Sequence, residues 1–301
     1  MGREAPRTFV VMSTYNGAEH LAEQLDSVLA QDAGNLSVLV RDDGSSDGTV
    51  GILETYERAG EIALVRGENL GVVGSFIDLI SRVPADADFI ALADQDDVWH
   101  PDKLSRALEV LAEKDPVVPQ LYCAEYVFCD ADMRPQGRSH LNRIGVEFPT
   151  MLYENMVSGN TTVINRALAD LVAEAGPEGV YCHDWWLALL ATAVGELTFD
   201  DFACLEYRRT GSNVSPTGAG GLSLLRYRIR TFFEKGELFR ITEQLERLRE
   251  VCGDDMPPER RLLLDRALDG GRLSKALIPV RLRQKPLEEM ALRLLLLAGA
   301  L

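Results

Sequence analysis

Four apolar runs of strand length, each followed by a polar loop and then by apolar residues at helical spacing, constrain the fold of this chain most strongly. The runs cover residues 8–12, 36–40, 62–65 and 89–93 of the 301-residue sequence. Strands that are largely apolar on both faces are typical of a parallel sheet that helices cover on both sides. The repetition predicts an α/β fold with right-handed crossovers. Further along, we expect a helix from residue 183 and strands at 121–129, 158–164 and 204–208.

Three of the polar loops follow strands, at residues 13–17, 42–48 and 94–97. The carboxyl ends of parallel strands meet at one edge of the sheet, where ligands of such folds bind. We therefore expect the three loops to converge on one ligand. The sequence has no GxxxxGK[ST] and no GxGxxG after the first strand, which argues against a P-loop kinase and a dinucleotide-dependent dehydrogenase.

The third loop carries three carboxylates within four residues, at Asp94, Asp96 and Asp97. Clustered carboxylates repel one another unless a cation lies between them, and oxygen ligands suit Mg²⁺ or Mn²⁺. The alternative is a solvated acidic turn at the start of the helix that follows near Asp102. The residues of this loop alone leave both interpretations open.

Charge is distributed unevenly along the chain. The net charge of −16 makes generic binding of nucleic acid unexpected. Residues 1–221 carry 15 Lys and Arg against 35 Asp and Glu, whereas residues 222–301 carry 16 against 12. The five cysteines form no CxxC pair or zinc spacing and fit the reduced thiols of a cytoplasmic protein. We expect neither a signal segment nor an apolar run long enough to span a bilayer.

The three loop motifs together resemble those of glycosyltransferase family 2, which are inverting enzymes with the GT-A fold. The motifs are VVMSTYN at 10–16, DDGSSDGT at 42–49 and DQDDVW at 94–99, in the order and spacing of the family. The resemblance covers roughly residues 8–215 and implies a Rossmann-like, mostly parallel mixed sheet with helices on both faces. The DQDDVW form is similar to bacterial rhamnosyltransferase-type members, which favours dTDP-L-rhamnose as the donor, with UDP-sugars next.

The resemblance also implies roles for residues in these motifs. Ser13 and Tyr15 would lie beside the nucleotide base and ribose, and Asp43 would hydrogen-bond the edge of a pyrimidine base. Asp94 would approach the ribose or the metal. Asp96 would ligate the Mg²⁺ or Mn²⁺ that bridges the diphosphate.

Further roles are implied outside the three motifs. Asp184 falls where the family keeps its general base, although its residues alone also fit a helix N-cap. Many members carry a histidine at the position of Thr210, where it can contact metal or diphosphate, and here Arg208 or Arg209 would neutralise phosphate charge instead. Of the adjacent tryptophans 185 and 186, we expect one in the core and the other stacked on a sugar.

We therefore expect a GT-A catalytic domain over residues 1–215, a Gly-rich hinge at 216–221 and a helical region over 222–301. The basic, amphipathic helical region suggests packing on the catalytic domain, homo-oligomerisation, or contact with the inner face of the plasma membrane.

The expected activity is transfer of a sugar from a nucleotide-diphospho-sugar to a hydroxyl of a saccharide or lipid-linked acceptor, in bacterial polysaccharide or glycoconjugate synthesis. One alternative is a sugar-nucleotide nucleotidyltransferase, against which the lack of Lys and Arg in residues 13–17 argues. The other is a non-catalytic protein that binds nucleotide sugars, against which the presence of Asp43, Asp96 and Asp184 argues.

Overall fold

The computed structural model describes residues 5–209 and 237–299, so the predicted hinge at 216–221 and Thr210 lie outside it. A nine-stranded sheet crosses these residues. Its strands, β1 to β9 in chain order, are Arg7–Thr14, Asn35–Asp42, Ala63–Arg66, Phe89–Ala93, Val98–Trp99, Gln120–Cys129, Pro135–Arg138, Val163–Asn165 and Glu196–Arg208.

Eleven α-helices and a 3₁₀ turn, Gly159–Thr161, accompany the sheet in the part of the chain that the structure describes. The helices, α1 to α11 in chain order, are Leu21–Leu29, Thr49–Ala59, Gly71–Arg82, Lys103–Ala112, Phe148–Met151, Arg166–Ala175, His183–Val194, Glu237–Cys252, Pro258–Asp269, Arg272–Ala276 and Pro286–Ala298.

The sheet is mixed and mostly parallel on one side, as the sequence predicts. Its order is β3-β2-β1-β4-β8-β6-β9-β5, with β7 paired to β6. The first four strands in this order are parallel, and Val10 of β1 pairs with Val38 of β2 and Ala91 of β4. This register brings the carboxyl ends of β1, β2 and β4 to the same edge. β8 then runs antiparallel to both β4 and β6.

Helices cover both faces of the sheet because alternate residues of each central strand are buried on opposite sides. In β1, Phe9 and Val11 belong to the core that contains α3, α6 and α7. Val10 and Met12 belong to the core that contains α1, α2 and α4. Each fully buried aliphatic side chain contributes about 1.5–3 kcal/mol, so both faces of the strand favour burial.

The C-terminal helices share the first of these cores. Leu245 of α8, Leu264 of α9 and Leu292 of α11 are buried in the same apolar cluster as Trp186 of α7. Residues 237–299 thus pack on the α7 face of the sheet, while the domain boundary at 215–222 stays a prediction. Within the described residues, no helix combines the length and the apolarity that crossing a bilayer requires.

Two predicted elements differ from the structure. The strand expected at 158–164 is instead a 3₁₀ turn followed by the short strand β8, because the side chains of Thr161 and Thr162 bond to the carbonyl of Ser158. The strand expected at 204–208 begins already at Glu196. Its first half is only partly buried and contains Asp200 and Asp201, so its apolar alternation is weak.

Candidate active site

The three polar loops meet at the carboxyl ends of β1, β2 and β4, as predicted, and bond to one another directly. The Gln95 amide accepts from the backbone N–H of Tyr15 (2.9 Å) and donates to the Tyr15 carbonyl (3.2 Å). The backbone N–H of Asn16 donates to Ser45 Oγ (2.9 Å), and Asn16 Oδ1 accepts from the N–H of Ser46 (2.8 Å). The motifs therefore form one connected surface.

A glycine allows the closest approach between two of these loops. A Cβ atom at Gly17 would overlap the side-chain amide of Gln95. The N–H of Gly17 donates to Thr49 Oγ1 (2.9 Å), which fixes the first loop to the start of α2. Above this junction Tyr15 leaves 51% of its surface exposed, while Ser13 lies at the end of β1 and is partly exposed. Both side chains border the edge at which a nucleotide would lie.

The carboxylates of the third loop interact strongly with each other. Burial, together with the charges of Asp96 and Asp184, raises the pKa of Asp94 to about 7. Burial raises the pKa of Asp96 as well. Burial and the charges of Asp94 and Asp96 raise the pKa of Asp97 well above its usual range. This mutual repulsion is the condition under which a cation between carboxylates is stabilising.

Asp97 lies beneath the other two carboxylates and is fully buried. It accepts from Asn160 Nδ2 (2.5 Å) and from the backbone N–H of Arg208 (3.4 Å). The buried Lys103 ammonium donates to the Asn160 carbonyl and lies 3.4 Å from the centroid of the Trp99 ring. Burial lowers the pKa of Lys103 to about 8. Asp97 is thus held inside the protein, and the metal role of Asp96 stays a prediction.

Asp184 lies in the first turn of α7, and four donors fix its carboxylate. Oδ1 accepts from Asn155 Nδ2 (2.9 Å), from the Cys182 thiol (2.9 Å) and from the N–H of Trp185 (2.7 Å). Oδ2 accepts from the N–H of Gly159 (3.2 Å). The N-cap residue of this helix is Cys182, so Asp184 lies inside the helix rather than at the N-cap position. Gly159, which donates to Asp184, precedes Asn160, which donates to Asp97, so one turn contacts both carboxylates, while the role of Asp184 stays a prediction.

The residue before Asp184 has a different environment. The ring of His183 is buried and stacks on Phe76, with a centroid distance of 4.3 Å. Ligand atoms of Cys182, His183 and Asp184 lie within 4.8 Å of one another. Because its ring is buried against Phe76, we interpret His183 as a packing residue.

Comparison with known proteins identifies the family. The sequence profile described as Glycosyl transferase family 2 matches residues 9–168, more than half of the chain. The chain belongs to glycosyltransferase family 2. The putative teichuronic acid biosynthesis glycosyltransferase TuaG of Bacillus subtilis is 32% identical over 218 residues, which are 70% of this chain and 82% of TuaG. The dTDP-rhamnosyl transferase RfbG of Shigella flexneri is 34% identical over 105 residues, which are 33% of this chain and 36% of RfbG.

Solved structures confirm the GT-A fold of this glycosyltransferase. S. aureus TarS, residues 1–349, superimposes with a TM-score of 0.55 at 16% identity and covers 89% of this chain and 90% of its own. TarS has also been solved with UDP-GlcNAc. The mannosyltransferase PcManGT of Pyrobaculum calidifontis, in complex with GDP-Man and Mn²⁺, has a TM-score of 0.55 at 18% identity over 98% of this chain and 75% of its own.

Arg208 of this glycosyltransferase is buried, and three protein acceptors surround its guanidinium group. It donates to the carbonyls of Asp96 (3.1 Å) and Ala131 (3.0 Å) and to the carboxylate of Glu23. A phosphate would have to replace one of these bonds, so the phosphate role of Arg208 stays a prediction. The Arg209 guanidinium lies 4.1 Å from the centroid of the Phe128 ring.

Asp43 is also enclosed by donors from the protein. Its carboxylate pairs with the Arg41 guanidinium and accepts from the backbone N–H groups of Leu70 (3.0 Å) and Gly71 (2.9 Å). A base contact would have to be added to these bonds, and that role stays a prediction. The φ angle of +69° at Gly71 lets the first turn of α3 aim its N–H at Asp43.

The expectation that one of the paired tryptophans stacks on a sugar is wrong. Both Trp185 and Trp186 are buried, and the indole N–H of Trp185 donates to the Met151 carbonyl (2.6 Å). Helices α3, α6 and α8 pack around the part of α7 that carries the two indole rings, so neither ring has a free face for a ligand.

Sequence reasoning missed the residues that position Asp184 from outside the motifs. Asn155 lies in an irregular segment without hydrophobic periodicity. Gln244 lies on α8, where its Oε1 accepts from the N–H groups of Tyr181 (2.9 Å) and Cys182 (3.2 Å). These two N–H groups directly precede α7, so a C-terminal helix holds the segment that carries Asp184. A buried glutamine among the apolar positions of α8 is the only sequence signal for this role.

We expect the substitution Gln244→Leu to weaken both the fold and the reaction. Two backbone N–H groups would lose their acceptor, which costs about 1–3 kcal/mol of unfolding free energy. Because the segment that carries Asp184 would be held less firmly, kcat should fall roughly tenfold while the donor Kd stays unchanged. Chemical denaturation and steady-state kinetics measure the two effects. The matched control is Glu243→Leu on the exposed side of the same helix, and equal losses in both variants would contradict the positioning role.

Proposed function

We propose that this glycosyltransferase inverts configuration as it moves a sugar from a nucleotide-diphospho-sugar to a hydroxyl of a saccharide or lipid-linked acceptor. The observation that carries the proposal is the position of Asp184. Its carboxylate is fixed by four hydrogen bonds, one of them from Gly159, and the next residue, Asn160, donates to Asp97 of the third motif loop. A fixed carboxylate beside a cluster of acidic residues suits a base that faces a metal-bound diphosphate.

The residues present fit a divalent ion. Asp94 and Asp96 offer oxygen ligands and repel each other when ionised, and Lys103 supplies one positive charge among the three carboxyl groups of the loop. Asp94 and Asp96 would hold Mg²⁺ or Mn²⁺, which would neutralise the charge of the departing nucleoside diphosphate. The complex of the related-fold mannosyltransferase with GDP-Man and Mn²⁺ supports this choice.

The chemistry assigned to the chain's own residues is proton transfer and positioning. The acceptor hydroxyl gives its proton to Asp184 while its oxygen bonds to the anomeric carbon. The bond from that carbon to the diphosphate oxygen breaks on the opposite side, so the configuration inverts. Hydrogen bonds from Asn155 and Gly159 hold the carboxylate in place. A positioned base of this kind contributes about 10²–10⁴-fold to the rate.

The donor is proposed from the relatives and from the open edge of the site. RfbG is named a dTDP-rhamnosyl transferase, and TarS is solved with UDP-GlcNAc. Both names point to a nucleotide that carries a pyrimidine base. The exposed ring of Tyr15 would pack against that base, with Ser13 beside it. We therefore propose dTDP-rhamnose first and UDP-sugars second, for bacterial surface polysaccharide synthesis such as the process that names TuaG.

A thermal-shift screen of dTDP-, UDP- and GDP-sugars with and without Mn²⁺ tests this function. We expect one donor class to stabilise the protein, by about 2.7 kcal/mol at a hundred times its Kd, and EDTA to remove most of the effect.

Asp96→Asn should weaken the metal-dependent donor affinity by at least ~10-fold. The control is Asp102→Asn, an exposed carboxylate after the same loop without a capping hydrogen bond.

Two results would contradict parts of the proposal. If no sugar nucleotide stabilises the protein, the transferase site is not functional as proposed. If a sugar phosphate and a nucleoside triphosphate give a sugar nucleotide as product, the nucleotidyltransferase alternative is correct. If the donor binds but neither transfer nor hydrolysis follows in the presence of Mn²⁺, the protein is a non-catalytic binder.

A further inference from the structure

Exposed apolar side chains are concentrated in the C-terminal helices. Nine of the fourteen large hydrophobic residues that the described chain exposes lie within residues 237–299, so their placement is not the scattered kind found on most surfaces. Seven of the nine lie in α10, in α11 or between them. We call these seven the tail surface: Leu273, Leu277, Val280, Leu287, Met290, Leu294 and Leu297.

Helix α11 is apolar on two opposite sides. Leu292 and Leu296 are buried against the body of the protein. The exposed members Leu287, Met290 and Leu294 recur at intervals of three and four residues, so they form a stripe along the other side. The inner face accounts for the packing of the helix on the body. The outer stripe requires a separate apolar environment.

Within the segment 271–299 the exposed charges are basic, although the exposed Glu147 of the body lines a cleft with Val280 and Arg281. Between residues 271 and 299, Arg272 and Arg281 are exposed, and the Lys285 side chain, which pairs with Glu288 (3.3 Å), retains 41% of its surface. The segment has two acidic residues, Glu288 and Glu289, whose side chains retain only 13% and 12%. Both are ion-paired with basic residues of the same segment. The side chains of this segment that face solvent are therefore apolar or basic.

The rest of the chain has the opposite charge. Residues 1–221 carry a large excess of Asp and Glu, whereas the segment 271–299 carries six Lys and Arg against two Glu. An anionic surface would attract the tail surface and repel the body, which fixes one orientation. A second copy that met the first through the same surface would place basic side chains against basic side chains. Charge complementarity thus favours an anionic bilayer as the occupant.

We propose that the tail surface rests in the headgroup region of an anionic lipid bilayer. Helix α11 has 13 residues and is therefore about 20 Å long, too short to span a membrane but suited to lying in its interface. Its apolar stripe contacts the acyl chains, while Arg272, Arg281 and Lys285 reach the lipid phosphates. The acidic body stays in water. This surface is independent of the proposed transfer reaction and lies outside its residues.

Flotation of the full chain on phosphatidylglycerol-containing vesicles, compared with phosphatidylcholine vesicles, tests the proposal. We expect binding to the anionic vesicles alone, falling as salt shortens the electrostatic range. The double substitution Met290→Glu with Leu294→Glu should lower the partition coefficient at least ~10-fold. The matched control Val117→Glu changes a side chain on the body that is 78% exposed, and it should bind as the wild type does.

A second pair of substitutions tests the charge without disturbing apolar packing. Arg272→Gln and Lys285→Gln should each reduce binding to anionic vesicles by about fivefold. Failure of the wild type to float, or equal flotation of all variants, would overturn the proposal. A dimer that Met290→Glu and Leu294→Glu dissociate, without vesicle binding, would assign the surface to a second copy. A lower melting temperature of the variant with both substitutions, without vesicle binding by the wild type, would also overturn the proposal, because the surface would then be covered within the protein.

Discussion

Replacing Asp184 with Asn is expected to remove sugar transfer while the donor still binds. The substitution keeps the size of the side chain but removes the group that takes the acceptor proton, so the rate should fall by about 10²–10⁴-fold. Donor affinity should change little, because Asp94 and Asp96 remain. Product formation by mass spectrometry measures the first quantity, and calorimetric titration of the donor with Mn²⁺ measures the second.

The hydrogen bonds of Asp184 require a check on stability. Oδ2 accepts from the Gly159 N–H, and an amide nitrogen at that position would leave this donor unpaired. We expect a loss of about 1–3 kcal/mol in unfolding free energy, which denaturation monitors separately. The matched control is Asp170→Asn, an exposed carboxylate on α6. Retention of most turnover in folded Asp184→Asn would exclude this residue as the base.

The central fold was predictable because the strands β1, β2 and β4 are buried over most of their length. Residues 9–12 of β1 and 89–93 of β4 are apolar throughout, which excludes both a surface strand and an amphipathic helix. Their carboxyl ends then had to meet, so the convergence of the motif loops followed from topology alone. The first half of β9 was not predicted, because its residues are only partly buried and lack a clear apolar pattern.

Side-chain roles were less predictable than loop positions, because a motif does not reveal what surrounds it. Arg208 and Asp43 were assigned to ligand contacts, and the structure surrounds both with protein partners. These partners come from distant parts of the chain. Glu23 reaches Arg208 from α1, and Leu70 reaches Asp43 from the start of α3. Only the folded arrangement shows such contacts.

The C-terminal helices support the site from two sides, which no motif indicated. Gln244 holds the start of α7, as described above. Gln284 Oε1 accepts from the N–H of Arg143 (2.7 Å), and the Arg283 guanidinium donates to the Tyr153 carbonyl (2.9 Å). Tyr153 lies two residues before Asn155, which donates to Asp184. The region expected only to pack, oligomerise or contact a membrane therefore also holds the segments that position Asp184, the proposed base.

The substitution Arg41→Met is expected to cost about 3–5 kcal/mol of unfolding free energy, because it leaves the buried Asp43 without its cation. Both side chains are buried, and Arg41 also donates to Asp78 (3.1 Å) and to the Glu68 carbonyl (3.0 Å). Urea denaturation measures the loss. The loss of unfolding free energy should be the same with and without nucleotide, since the Arg41–Asp43 pair connects β2 to the start of α3 within the protein.

A double-mutant cycle separates this structural role from the predicted base contact of Asp43. Adding Asp43→Leu to Arg41→Met removes the unpaired charge and should recover part of the stability. The control Arg82→Met breaks only the surface pair with Asp78 and should cost no more than about 1 kcal/mol. If Asp43→Leu alone instead lowers nucleotide affinity and leaves stability unchanged, Asp43 binds the base as its motif predicts, and the pair with Arg41 is secondary.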